Sequence, residues 1–237
     1  THVLPTRDGE LLFWARHQQI LAEHNINVLT SDEKGHRQCL DKLIFAQCCE
    51  NAIETTLTPA SEAGARYVVK PRFGAGASQM VVDVSYEESI NFAGQISEPV
   101  FQRFVEGREI SIDAWLNNDG DLKAHCYRFR ELVKAGESVV TTTVALPQFD
   151  NIVRQALEQL TLRGPVVLQG IIDEQGNLHL IECNSRFGGA STLGIKAGVD
   201  SFYWSLLESN GTDVNDYPYS PASEPITQIR IATDIYQ

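Results

Sequence analysis

The chain is poor in positive charge: 19 lysines and arginines stand against 31 aspartates and glutamates, a formal net charge of −12. A nucleic-acid backbone and an anionic membrane both reward a clustered positive surface, so neither is expected as its main partner. An acidic protein can still hold nucleotide phosphates if a few local cations and a metal ion offset them. Also missing is any run of about 18 apolar residues, the length a membrane span requires. The first residues carry no basic-then-apolar signal pattern, so export is not expected. Cys39, Cys48, Cys49, Cys126 and Cys183 form no C-x-x-C pair. An odd number with two adjacent reads as reduced thiols and points to the cytoplasm rather than to a disulfide framework. His17 and His24 lie on one predicted helix without a third ligand, which reads as exposed helix positions rather than a zinc site. No Walker A loop, internal repeat or low-complexity tract is present.

What is present is an ordinary globular composition, 43% hydrophobic and 21% charged, long enough for one large or two modest domains. His2 to Pro5 reads as a strand end, Asp8 to Glu23 as an amphipathic helix and Asn27 to Leu29 as a strand. Glu33 to Glu50 reads as a helix capped by Thr30, Ser31 or Asp32. One such unit cannot build a covered parallel sheet, so residues 1–32 are expected to belong to an α/β domain only partly present in this chain. Beyond it the pattern becomes antiparallel. Strands are predicted at Ala65 to Lys70, Gln79 to Val84, Val100 to Val105, Glu109 to Trp115 and Lys123 to Arg130, with a turn at Asn117 to Gly120. Helices follow at Phe149 to Leu162, Ser191 to Ala197 and Asp200 to Ser209, and a closing strand at Ile226 to Ile235.

Several segments carry candidate chemistry. Gln169 to Asp173 and Leu178 to Glu182 flank a Gly-Asn turn and predict a hairpin whose second strand ends in Glu182, Cys183 and Asn184. Glu182 and Asn184, two apart on a strand, share a face, and Gln169 can lie across from them. Hard oxygen donors beside a fixed cation, Arg186, suit Mg²⁺ carrying nucleotide phosphates; the same pattern also fits a surface hairpin with polar ends. Cys183 alternates to the other face, as a small core residue would. The loop Phe73 to Ser78, with Gly74, Gly76 and Ser78, can fold tightly over an anion, and Lys70 just before it can reach the same phosphates. Glycine at strand ends is also common for steric reasons alone. The break at Glu106-Gly107 leaves backbone groups that a purine edge can take up, with Glu109 placed for ribose hydroxyls; a structural β-bend is the other reading. Arg128 and Arg130 share a strand face, either solvated or orienting an anionic substrate.

Together, Asp41-Lys42, Val69-Lys70-Pro71 with Gly74 to Ser78, Gln102 to Glu109, Gln169, and Glu182-Cys183-Asn184-Ser185-Arg186 occur in the order, and at close to the spacing, of the ATP-grasp superfamily. From about Ser31 onward the chain resembles its carbamoyl-phosphate-synthase-like members and related carboxylate–amine ligases. The resemblance implies an α+β fold in which two α+β subdomains grip ATP, divided here as residues 33–105 (small, with a linking helix) and 106–237 (large, with the metal-binding hairpin). It also implies that Lys42 and Lys70 contact the phosphates under the Gly74 to Ser78 loop. Gln102, the Arg103 carbonyl and the Val105 amide would face the purine, and Glu109 the ribose. Gln169, Glu182 and Asn184 would ligate Mg²⁺, or Mn²⁺ with the same preference for oxygen, while Arg186 together with Lys70 would steady the transferring phosphoryl group.

The implied chemistry is phosphorylation of a carboxylate or bicarbonate by ATP, followed by attack of an amine or ammonia on the acyl phosphate. Positioning and charge neutralisation suffice for such transfer, without a protein nucleophile. The partners implied are a small carboxylate and an amine, with a homodimer compatible. Two departures stand out: the first metal position is the neutral Gln169 rather than an acidic residue, as in the synthase branch, and Ser185 replaces the usual proline. The alternative is an ATP-binding regulatory or partner-docking module without catalysis.

Overall fold

The computed structural model describes residues 1–74, 79–231 and 233. The N-terminal segment pairs β1 (His2–Val3) in parallel with β2 (Asn27–Val28), with α1 (Leu11–Glu23) between them. The single helix expected over 33–50 is two, α2 (Glu33–Leu40) and α3 (Lys42–Cys48). The break falls at Asp41, which is extended at φ −99° and ψ 104° and accepts from the Leu43 and Ile44 amides. An aspartate that caps a new helix start satisfies orphan amides, an alternative to continuing the old helix that contributes about 1 kcal/mol. Asp41 is also gripped by Arg72 Nε and Nη2, at 2.8 and 2.6 Å, which fixes the break in place.

A four-stranded antiparallel sheet follows in the order β3 (Thr55–Thr56), β6 (Pro99–Arg103), β4 (Tyr67–Pro71), β5 (Val81–Val84). Helix α4 (Tyr86–Ala93), started by a Ser85/Glu88 capping box, packs beside it. Alternation sends Tyr67, Val69 and Phe101 into a shared apolar cluster. Lys70 and Gln102 therefore take the other face.

At Arg103 the chain leaves this sheet, and at Gly107 it joins a six-stranded one; residues 104–106 belong to neither. Gly107 allows the crossing because a side chain there would place Cβ 2.2 Å from the Ile172 carbonyl oxygen. The large sheet runs β11 (Leu178–Asn184), β10 (Gly164–Asp173), β7 (Gly107–Leu116), β8 (Leu122–Lys134), β9 (Glu137–Val144), β12 (Thr227–Ile229), antiparallel throughout its core. The closing strand is thus shorter than the expected Ile226 to Ile235 among the described residues.

The two faces of this sheet differ as period-two alternation requires. Ile110, Ile112, Ala114, Leu116, Leu168, Leu180 and Cys183 face one way, into the main core with Cys39 and Phe45 of α2 and α3 and with α5 (Asp150–Glu158). Burial of each such leucine or isoleucine contributes about 1.5–3 kcal/mol. Helices α2 and α3, grouped in sequence with the 33–105 segment, lie against β11. On the opposite face Glu109, Ser111 and Asp113 precede Trp115, which lies in a second cluster with Trp204 of α7 (Ser201–Ser209) and donates its indole N–H to Ser205 at 2.8 Å. Helix α6 (Thr192–Lys196) covers part of the same face, close enough that a Cβ on Gly194 would lie 3.0 Å from Asp113 Cβ. None of the described helices is long and apolar enough to cross a membrane.

Candidate active site

The β10–β11 hairpin places Gln169 directly opposite Glu182, with a register shift between Gln169 and Gly170. Asn184 follows two residues on and shares that face. Lys70 arrives from the smaller sheet, its Nζ 3.9 Å from Glu182 Oε2, too long for a hydrogen bond but close enough for strong attraction. Burial lowers the Lys70 pKa to about 8; Glu182 opposes that shift and Lys42 adds to it. Lys42, at the start of α3, is also buried, which lowers its pKa against the pull of Glu182, Asp8 and Asp41. Its Nζ donates to the Gly74 carbonyl at 2.8 Å, tying α3 to the beginning of the glycine-rich loop. Gly74 itself sits at φ +106°, a conformation side chains disfavour. Gly76 and Ser78 lie outside the described residues.

Two buried lysines and one carboxylate make a local positive patch in an acidic protein, the arrangement polyphosphate binding needs. A hard cation fits the donors beside it: Gln169, Glu182 and Asn184 offer only oxygen, with one negative charge, and would rely on phosphate for the rest. Among the described residues there is no cluster of three His, Cys, Asp or Glu side chains able to hold a metal without such help.

The turn after Asn184 is held from below and from the side. Ser185 Oγ is 2.7 Å from His36 Nδ1, and His36 Nε2 is 2.8 Å from Thr30 Oγ1, so a fully buried imidazole bridges the N-terminal segment to the turn. Arg186 Nη2 donates to Asn184 Oδ1 at 3.2 Å. Its Nε and Nη2 also grip Asp8 through both carboxylate oxygens at 2.7 Å. Sequence reasoning identified neither Asp8 nor His36. They stand 178 and 149 residues from their partners, and no local pattern marks such contacts.

On the nucleotide side, Gln102 is buried and its Nε2 donates to Thr55 Oγ1 at 2.9 Å, leaving the amide oxygen as the atom able to accept. The Arg103 side chain turns away to Glu62 and over the Tyr67 ring. Val105 lies in the crossing between the sheets. Glu109 is half-exposed and receives Arg130 Nη1 at 2.9 Å. Arg128 is buried against Asp113, Nε to Oδ2 2.7 Å, and Asp113 also accepts from Ser191. The structure thus brings Lys42, Lys70, Glu182 and Gln169 into one neighbourhood and sets Asn184 and Arg186 at its edge.

The fold is shared with solved ATP-grasp enzymes. Biotin carboxylase from Campylobacter jejuni, in a β,γ-ATP complex, superposes with a TM-score of 0.76 at 16% identity, covering 90% of this chain and 55% of that one. The biotin carboxylase domain of Hydrogenobacter thermophilus 2-oxoglutarate carboxylase, a dimer with MgADP, ADP and bicarbonate, gives 0.78 at 16% identity, covering 97% and 58%. The L-amino acid ligase of Bacillus licheniformis gives 0.59 at 20% identity, covering 78% and 49%. The chain spans about half the length of these structures. It matches no curated protein sequence. The ATP-grasp domain family model matches residues 39–190, from the last turn of α2 through the hairpin and its arginine, so the chain belongs to the ATP-grasp family.

Proposed function

We propose that the protein is an ATP- and Mg²⁺-dependent ligase that activates a carboxylate as an acyl phosphate for attack by an amine or ammonia. The observation that carries this reading is the meeting of Lys70, from one sheet, with the Glu182–Gln169 pair of the other. In it, residues 33–105 supply Lys42, Lys70 and the glycine-rich cover, residues 106–237 supply the floor, and residues 1–32 brace the Asn184–Arg186 turn.

Lys42 and Lys70 hold the phosphates of ATP. The Gln102 amide oxygen accepts from the adenine amino group, the Arg103 carbonyl and Val105 amide meet the purine edge, and a Glu109 oxygen accepts from the ribose. Gln169, Glu182 and Asn184 would hold Mg²⁺, which would neutralise part of the phosphate charge. A carboxylate oxygen of the substrate attacks the γ-phosphorus as the bond to the ADP oxygen breaks. Arg186 and Lys70 offset the charge that gathers on the three equatorial oxygens. The amine nitrogen then attacks the acyl carbon, inorganic phosphate leaves, and the nitrogen loses a proton.

Asp8 grips Arg186 through both carboxylate oxygens, the bidentate geometry that this guanidinium would also offer to the oxygens of an acyl phosphate. The same contact favours one second reading, an ATP-binding docking module whose arginine is already occupied. Titration with MgATP followed by melting temperature tests nucleotide binding in both readings; a site occupied at a hundred times its Kd raises stability by about 2.7 kcal/mol. Acid-dependent ADP release supports the ligase, and its absence with every acid and amine offered would leave the docking module.

A further inference from the structure

The face of the large sheet that presents Gln169 and Glu182 carries one unbroken polar row. Register pairs Glu182 with Gln169, Gln169 with Ser111, Ser111 with Arg128 and Arg128 with Thr143, across five strands. At one end are the oxygens assigned to the metal. Two and three strands along, the row holds two polar atoms that are buried and without a hydrogen-bond partner among the described residues, Ser111 Oγ and Arg128 Nη1. Ser111 is 1% exposed and Arg128 4%. A buried polar group left unpaired costs about 1–3 kcal/mol, so neighbouring orphans on a site face are unfavourable until something pairs with them. Both can donate: the hydroxyl has a rotatable proton and the guanidinium nitrogen two fixed ones. The neighbouring row is closed by contrast, since Asp113 takes Arg128 Nε and Ser191 Oγ. Arg130, the other arginine on this face, is consumed by Glu109, Ser138 and the Gly136 carbonyl. A third unpartnered atom among the described residues, Gln228 Oε1 on β12, lies outside the row.

We propose that Ser111 and Arg128 form a second substrate subsite, which binds an oxygen of a carboxylate or carboxamide carried by the same acid that is phosphorylated beside Gln169 and Glu182. The inference rests on the ligase reading of that cleft and adds the class of its acid. Adjacent strands are about 5 Å apart, so Ser111 and Arg128 stand about 5 and 10 Å from Gln169 along the row. That span suits an acid with two carbonyl ends separated by a few carbons. The net charge of the Arg128–Asp113 pair is zero, which lets a neutral carboxamide as well as a carboxylate be accommodated.

The test uses succinate, succinamate and butyrate, acids of equal chain length with a carboxylate, a carboxamide or nothing at the second end. Each is titrated, with and without MgADP, into wild type, Ser111→Ala and Arg128→Lys, with melting temperature as readout. Arg128→Lys keeps a cation for Asp113 while removing Nη1; Ser111→Ala removes only an unpaired hydroxyl and leaves the starting melting temperature unchanged or higher. Succinate or succinamate should half-saturate wild type at about one-tenth the concentration of butyrate, and each substitution should erase most of that preference. The stronger of the two identifies the second group as carboxylate or carboxamide. Equal behaviour of all three acids, or a preference kept by both variants, overturns the subsite. MgADP alone failing to raise the melting temperature instead counts against the ligase reading, so the two failures are distinct.

Discussion

His36 gives the most direct physical test of how the Asn184–Arg186 turn is supported. It is fully buried, and burial lowers its pKa from 6.5 to about 4, against the opposing pull of Asp32, the Ser31 backbone and Asp8. In the unfolded chain the ring takes up a proton near pH 6.5. Between pH 6.5 and about 4 the unfolded state therefore binds more protons than the folded one, and stability must fall as pH falls through that window. At about 1.4 kcal/mol per pH unit the full loss is about 3 kcal/mol, complete below about pH 4. Asp173 and Glu33, held at about 2 by His179 and by Arg16 respectively, lose their contributions at lower pH, so the upper part of the window belongs to His36. In His36→Asn the amide can keep a hydrogen bond to Ser185 without titrating. Urea unfolding at a series of pH values from 7 to 4.5 should show wild type losing stability steadily while His36→Asn stays nearly flat. Parallel loss in both proteins would refute the account of a neutral, buried imidazole bridging Thr30 and Ser185.

Other expectations follow from single contacts. Lys70→Ala should weaken MgATP binding about ten- to a hundredfold, measured by calorimetry, with equal affinity removing Lys70 from the phosphate site. Asp8→Asn should cost about 1–3 kcal/mol in urea unfolding and, by releasing Arg186, strengthen binding of inorganic phosphate; no change in either would show the pair to be idle. Gly107→Ala should destabilise by about 1–3 kcal/mol, because the new Cβ meets the Ile172 carbonyl and Ile171 Cγ2; wild-type stability would mean that the crossing between sheets is loosely packed.

What was legible in the sequence was local and periodic. Alternation around the Gly-Asn turn placed Gln169 across from Glu182 and turned Cys183 into the core, where both pairing and burial put them. The break at Glu106-Gly107 showed because glycine interrupts an apolar run, and it is where the chain changes sheets. The break at Asp41 was hidden, since an aspartate within an otherwise helical stretch reads as an exposed position until its cap and Arg72 are seen. The shared face of Arg128 and Arg130 was visible, but not that Glu109 engages one and Asp113 the other, for those are cross-strand contacts. Asp8 and His36 were beyond reach, because only tertiary folding brings them to the turn after Asn184.

The most direct test of the central claim is trapping the acyl phosphate. The protein is incubated with MgATP, a panel of carboxylic acids that includes dicarboxylates, and hydroxylamine as the amine, and both hydroxamate and ADP are measured. The account predicts that at least one acid gives hydroxamate and ADP in equal amounts, and that Glu182→Ala, with its fold intact, gives neither. A protein that binds MgATP yet forms no hydroxamate and releases no acid-dependent ADP would contradict it, as would full activity in Glu182→Ala.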